Sequence, residues 1–355
     1  MLSFKDHSDF PFFVRAPLIL IAIISSLLLL YWGRLLFIPL FLAFLVAIFL
    51  YPLARFFEKK HFGKITAAAA SVLLFFLFIS IFLYFFSTHL LQFTKALPDL
   101  KLKLDALVER VQTWMSENYR INSSPEANFI QSPLSKIVSV AGNTIPIILK
   151  CLILFALFLF FTFYILYHRG LLKNFILSFF KGSHRKKIGE ISFELRLLIN
   201  GYVRGLMIEM LIFIVSSLML LLVLGIKYAL LMAVFAGVLN VIPYLGVYAA
   251  IAINALVTFT TTNLTEGLEV AAVFILIHII DANIILPRIV GGRVKMNPFV
   301  TLIAVVVGHL IWGVPGMFLF IPLTAIIRVV SEKINDFRSW AILIGEETNR
   351  KDQSL

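Results

Sequence analysis

Asp281-Ala-Asn-Ile-Ile-Leu-Pro-Arg-Ile-Val-Gly-Gly-Arg-Val-Lys-Met-Asn-Pro298 is a polar stretch, punctuated by glycine and proline, among long apolar runs. Ionisable side chains at the edge of hydrocarbon are costly, so such a stretch marks a membrane boundary or a working site. Pro287, Gly291, Gly292 and Pro298 prevent one continuous helix here. The apolar run Tyr228 to Thr262 precedes it, after an intervening span, and Phe299 to Val330 follows. Each is interrupted near its middle by proline and glycine, and this paired interruption governs the reading of the fold.

Of the 355 residues, 61% are hydrophobic and 14% charged; soluble domains have about 45–50% and about 25%. The excess comes in runs of roughly 17–22 residues, the length that crosses about 30 Å of hydrocarbon as a helix. The chain therefore reads as an all-α polytopic membrane protein. A β-barrel is excluded, because the runs are continuous rather than alternating. The net charge of +12 would point to nucleic acid in a soluble chain. Here the positive residues sit in loops and set orientation, so the expected partner is an anionic lipid surface and not nucleic acid. The single Cys151 lies in an apolar run, which excludes an intrachain disulfide and a thiolate metal site. No metal or cofactor is expected. The chain has no His-Glu-x-x-His, Gly-x-Ser-x-Gly or phosphate-cradling Gly-Lys-Ser/Thr, so it does not read as an enzyme. The first apolar run reads as a retained helix rather than a cleaved leader.

Five regions follow along the chain. Residues 1–86 hold three spans: Ala16 to Trp32, Leu35 to Leu53 after a tight turn at Gly33-Arg34, and Ile65 to Phe86. Residues 87–145 form an extracytoplasmic segment with six Lys or Arg against five Asp or Glu. Leu97, Leu100, Leu104, Leu107, Val111, Trp114 and Met115 give it the stripe of an amphipathic helix. Residues 146–204 hold a fourth span, Pro146 to Tyr167, and a basic segment with eight Lys or Arg against two Glu. That segment reads as an interfacial helix on an anionic face. Residues 205–330 form the motif-rich transport region, starting with a fifth span, Gly205 to Leu224. Residues 331–355 are a cytoplasmic tail.

Lys/Arg asymmetry puts 54–64, 168–204 and the tail inside, with the amino terminus also inside after two crossings. Thr260 to Glu269, with two carboxylates and no Lys or Arg, falls outside. Tyr228 to Thr262 then starts and ends outside, and Phe299 to Val330 starts and ends inside. Both must be hairpins, flanking a further span from Leu268 to Ile285, beyond about five conventional spans. Arms of about 14–16 residues reach only about 21–24 Å, so re-entrant and fully crossing hairpins both stay open. Non-helical backbone at membrane depth survives only under cover of protein or water. Opposed broken hairpins are the pattern of secondary transporters, with substrate near the tips.

The substrate and gating candidates are Asn240, Pro243, Tyr244 and Gly246 on the first tip; Asp281, Asn283, Pro287, Arg288 and Gly291 in the opening stretch; and Gly313, Pro315 and Gly316 on the second tip. Asn240 to Gly246 lines a pathway or forms a plain interfacial turn. Asp281 couples a proton or cation, or pairs with Arg288 two turns on. Glu209 is a relay carboxylate or an interfacial one, one turn inside its span. His278 and His309 titrate near neutral pH in isolation but also suit structural roles.

Asn240-Val-Ile-Pro-Tyr-Leu-Gly246, Asp281-x-x-Ile-x-x-Pro-Arg-Ile-Val-Gly291, Val294-Lys-Met-Asn-Pro298 and Gly313-x-Pro-Gly316 through Pro322 occur in this order. Together they resemble the autoinducer-2 exporter family of bacterial permeases, over nearly the whole chain. The resemblance implies an inner-membrane protein that exports the quorum-sensing signal autoinducer-2, or one that exchanges sodium or lithium for protons. It also implies a homo-oligomer, with a pentamer as one expectation, and an elevator-like moving part. Two positions depart from the family pattern: Leu206 where Gln is frequent, and Val247 where Pro is frequent. A non-transporting membrane scaffold that recruits partners through its amphipathic helices is the reading from a different class.

Overall fold

The computed structural model describes residues 12–94, 113, 117, 144–178, 184–243, 245–286, 288–289, 296–333 and 338–345. The outer amphipathic stretch, 97–120, lies outside the described residues apart from 113 and 117. The helices are α1 (Phe12–Trp32), α2 (Arg34–Lys59), α3 (Lys64–Thr94), α4 (Thr144–Tyr167), α5 (Arg169–Ser178) and α6 (His184–Val223). They continue with α7 (Ala229–Asn240), α8 (Leu245–Thr261), α9 (Leu264–Ile280), α10 (Pro298–Trp312), α11 (Val314–Lys333) and α12 (Arg338–Ile344). A π-helical turn, Asp281–Ile285, extends α9. Among the described residues the only β structure is one antiparallel bridge, Met296 with Gly345.

Among the described residues, six helices are long and apolar enough to cross a membrane: Arg34–Lys59, Lys64–Tyr84, Leu149–Tyr167, Gly189–Val223, Leu264–Ile285 and Val314–Lys333. Their outer faces stay apolar: Ile81 is 67% exposed and Leu211 60%. Such continuous apolar surface needs lipid rather than water around it. The chain is a multi-pass α-helical membrane protein.

Three apolar clusters hold the helices together. The first joins α2, α6, α10, α11 and α12 through Leu45, Tyr202, Trp312, Phe320 and Ile344. The second joins α6, α7, α8 and α9 through Phe213, Met232, Val257 and Phe274. The third joins α2, α3 and α4 through Ala54, Ala68 and Leu166. Ion pairs at one end reinforce them. Arg169 meets Glu58, and Lys333 Nζ stands 2.7 Å from Glu194. The end of α2 thus meets the start of α5 and the end of α11 meets the first part of α6, while Arg196 of α6 stands over Tyr51 of α2 and brings these ends to one face.

Both broken runs are hairpins, α7–α8 and α10–α11. In the second, Gly308 and Gly316 bring the two backbones into contact. A Cβ on Gly316 would lie 1.9 Å from the Gly308 carbonyl oxygen. The arms are unequal. α11 has 20 residues, about 30 Å, rather than the shorter arm expected from the sequence. Its apolar pattern continues past Pro322, and Arg328 is answered by Glu332 one turn on, at 2.6 Å.

Two further expectations are corrected. Gly33 does not reverse the chain. Its φ and ψ are −81° and 13°, near helical. Gly33 N–H donates to Leu29 and Phe37 N–H to Gly33, both at 2.9 Å, so the ladder passes through. The Leu30 carbonyl, one turn before, also accepts from the Trp312 indole N–H at 2.8 Å. The interfacial helix and the fifth span are also not separate. α6 runs 40 residues without proline, and its buried stripe continues from Leu198 and Tyr202 to Phe213 and Leu221. The expected boundary between 204 and 205 falls inside it.

Candidate functional site

Glu209 lies well inside α6, because the helix begins 21 residues before the span read from sequence. It is 3% exposed, as is Asp281. Asn240, the last residue of α7, stands between them. Its Nδ2 donates to Glu209 Oε1 at 2.8 Å and to Asp281 Oδ2 at 3.2 Å. One amide thus serves two acidic side chains from two other helices.

The group sits where the first two clusters meet. Leu206 packs on the first cluster and Phe213 belongs to the second, with Glu209 between them on α6. Leu239 packs on the second and Ile242 on the first, with Asn240 between. Ile277 belongs to the second and Ile289 packs on the first, on either side of Asp281. Three elements therefore each place one polar side chain at the same seam.

Local structure explains the placement. α7 stops at Asn240, followed by the turn through Pro243. Gly246 lets α8 begin against the end of α7: a Cβ there would stand 1.7 Å from the Leu239 carbonyl oxygen. Asp281 opens the π-helical turn, a local widening that is frequent at functional sites. Buried carboxyl groups are costly unless hydrogen-bonded or paired. Asp281 Oδ1 is buried without a partner. Among the described residues no ion pair reaches either acid, and Arg288 is exposed, so Asp281 faces Asn240 rather than Arg288. The group can accept a proton, a cation or a molecule rich in hydrogen-bond donors.

The other candidates divide. Asn283 is exposed and donates to its own helix, to the Ile279 carbonyl at 2.8 Å. Pro243 is half-buried on the turn. Tyr244, Pro287 and Gly291 lie outside the described residues. Gly313 (φ 65°), Pro315 and Gly316 belong to the second hairpin, whose Trp312 and Met317 sit in the first cluster, and they do not join the acidic group. His278 lies one turn before Asp281, its ring edge-on to Tyr248 at 5.6 Å, with Nδ1 buried and unpartnered. His309 accepts the Gly313 N–H through its carbonyl.

Sequence reasoning missed two polar positions. Asn254 on α8 is 3% exposed and donates to the Met232 carbonyl at 3.2 Å, tying the first hairpin together. Tyr202, within the segment read as a basic interfacial helix, is 1% exposed and two turns before Glu209 on the same face of α6. The seven-residue spacing from Tyr202 to Glu209 was the available signal.

Long apolar helices, two broken hairpins and a buried acid–amide group define a polytopic membrane protein with a polar centre. The model of the AI-2E family transporters matches residues 20–336, and the chain belongs to that family. It is 33% identical over 132 residues to YrrI of Bacillus subtilis, 37% of each chain. It is 23% identical over 310 residues to YueF of the same organism, 82% of each. The names of both carry a provisional transport assignment. It is 32% identical over 124 residues to the AI-2 transport protein TqsA of Escherichia coli, covering 35% of this chain and 36% of that one. The match to YrrI thus spans little more than a third of that relative's length.

Proposed function

We propose that this chain is an integral inner-membrane secondary transporter that exports a small polar molecule and performs no catalysis. The observation that carries the reading is the shared hydrogen bonding of Glu209, Asn240 and Asp281 at the seam between two packed bodies. A buried acid pair served by one amide donor is uncompensated until a proton or a donor-bearing cargo arrives. Loading and unloading are then tied to the hydrogen bonding at this seam, where Asn240 at the end of the first hairpin arm meets the acids of α6 and α9. Glu209 and Asp281 act as the relay, and Asn240 holds them in register. Autoinducer-2 is the first cargo to test, because the family description and the relative TqsA carry that name.

The end of α11 faces the cytoplasm in this reading. The near-helical path through Gly33 removes the two-crossing argument for placing the amino terminus there. The exposed apolar faces of α1 and α3 meet lipid or further copies in a homo-oligomer.

The test is efflux of autoinducer-2 from loaded proteoliposomes containing the full-length protein. Glu209→Gln, Asn240→Ala and Asp281→Asn should each slow flux about tenfold or more, the scale of one lost charge-assisted hydrogen bond. Asn283→Ala should leave it unchanged. Normal flux in all three seam variants would remove the site, and no flux of autoinducer-2 with the unaltered protein would remove the cargo.

A further inference from the structure

Tyr51, near the carboxy-terminal end of α2, is met by three guanidinium groups. The central carbon of Arg55 stands 5.8 Å from the ring centroid, that of Arg169 5.2 Å and that of Arg196 5.7 Å. They come from three helices: Arg55 from α2, Arg169 from the start of α5 and Arg196 from α6. In sequence these belong to two separate basic loops; the fold draws them to one ring.

Charge at this point is unbalanced. Glu58 engages Arg169 with both of its oxygens. Glu194, the next acid at hand on α6, is engaged by Lys333 at 2.7 Å. Arg196 Nε donates to the Ser192 carbonyl at 3.2 Å, which uses one of its five donors. Arg55 is exposed. Three fixed positive charges therefore stand against one negative charge. Guanidinium groups present planar forks that match phosphate oxygens in pairs.

The position selects the kind of phosphate. The cluster lies towards the shared end of the long apolar helices α2, α4 and α6, whose length and composition suit a membrane crossing, so a bilayer's head groups are the expected neighbours at that end. Beside it, Phe56 on α2 is 50% exposed, and Leu171 and Phe175 on α5 are 61% and 57% exposed. These provide apolar surface for acyl chains next to the charge. We infer that Arg55, Arg169 and Arg196, around Tyr51, form a binding site for the phosphate of an anionic phospholipid. This goes beyond general attraction of a basic face to a charged leaflet, because it assigns one retained lipid to one set of side chains. It stands independently of the transported cargo.

The experiment is native mass spectrometry of the full-length protein in detergent, titrated with phosphatidylglycerol, phosphatidylcholine or inorganic phosphate. The unaltered protein should retain phosphatidylglycerol about tenfold more than phosphatidylcholine, and excess inorganic phosphate should not strip it. Arg55→Gln/Arg196→Gln should abolish the preference. Lys227→Gln, which removes a cation over Tyr228 away from this cluster, should keep it. If the double glutamine variant does not fold, Arg55→Lys/Arg196→Lys, which keeps charge but not the fork, should lower retention. Equal retention of the two lipids by the unaltered protein overturns the site. So does unchanged retention in whichever double variant folds. Displacement by inorganic phosphate overturns the lipid assignment in favour of a free anion.

Discussion

Asn240 is the residue on which the seam depends. Its single amide nitrogen is shared by two acids, so Asn240→Ala leaves both without that donor. A cost of about 1–3 kcal/mol is expected, read as a lower midpoint of thermal unfolding in detergent. The acids should also show non-additivity. Glu209→Gln/Asp281→Asn removes both buried charges and should be at least as stable as either single variant, because a lone buried carboxylate is worse than none. A double-mutant cycle checks this, and strictly additive losses would contradict a shared site. All three residues were singled out from the sequence, but separately. Asn240 is 31 residues from Glu209 and 41 from Asp281, and no periodicity links positions on three helices. The expected Asp281–Arg288 pair came from a seven-residue helical spacing. It fails because the π-helical turn breaks the register on which that spacing relies.

At the scale of elements, the two hairpins rest on close backbone approaches. Gly246→Ala would push a methyl group into the Leu239 carbonyl, and Gly316→Ala into that of Gly308. Each should destabilise by about 1–3 kcal/mol or more, the range of overpacking. Gly225→Ala meets no neighbour but sits at φ 69°, so its smaller loss would come from backbone strain alone. Thermal unfolding of the three variants side by side distinguishes contact from strain. The hairpins were legible because proline and glycine interrupt otherwise uniform apolar runs. The continuity of α6 was not, because a change from basic to apolar composition looks like a boundary even where the helix has no reason to end. The reach of α11 was not legible, because the run from Phe299 to Val330 was divided evenly between two arms, whereas the helix continues to Lys333 with Arg328 answered by Glu332.

For the whole molecule, the ion pairs fix which ends share a face. Arg169 with Glu58 ties the end of α2 to the start of α5, Lys333 with Glu194 ties the end of α11 to the first part of α6, and Arg196 over Tyr51 joins the two groups. α6 then carries the chain across, so Lys227 and Asn263 lie on the other side. Cysteine placed at Lys60 or Glu332 in a Cys151→Ser background should react with an impermeant maleimide from one face only. Cysteine at Lys227 or Asn263 should react from the opposite face only. Labelling of Lys60 and Lys227 from the same side would contradict the fold. The two apolar clusters are joined by the unbroken helix α6, and Glu209, Asn240 and Asp281 lie where they meet.

The indole N–H of Trp312 reaches back 282 positions to the Leu30 carbonyl. A ribosome delivers the amino-terminal helices long before that partner exists. The tie between the first helix and the last hairpin therefore forms late in biosynthesis. A nascent chain halted short of that tryptophan would lack it.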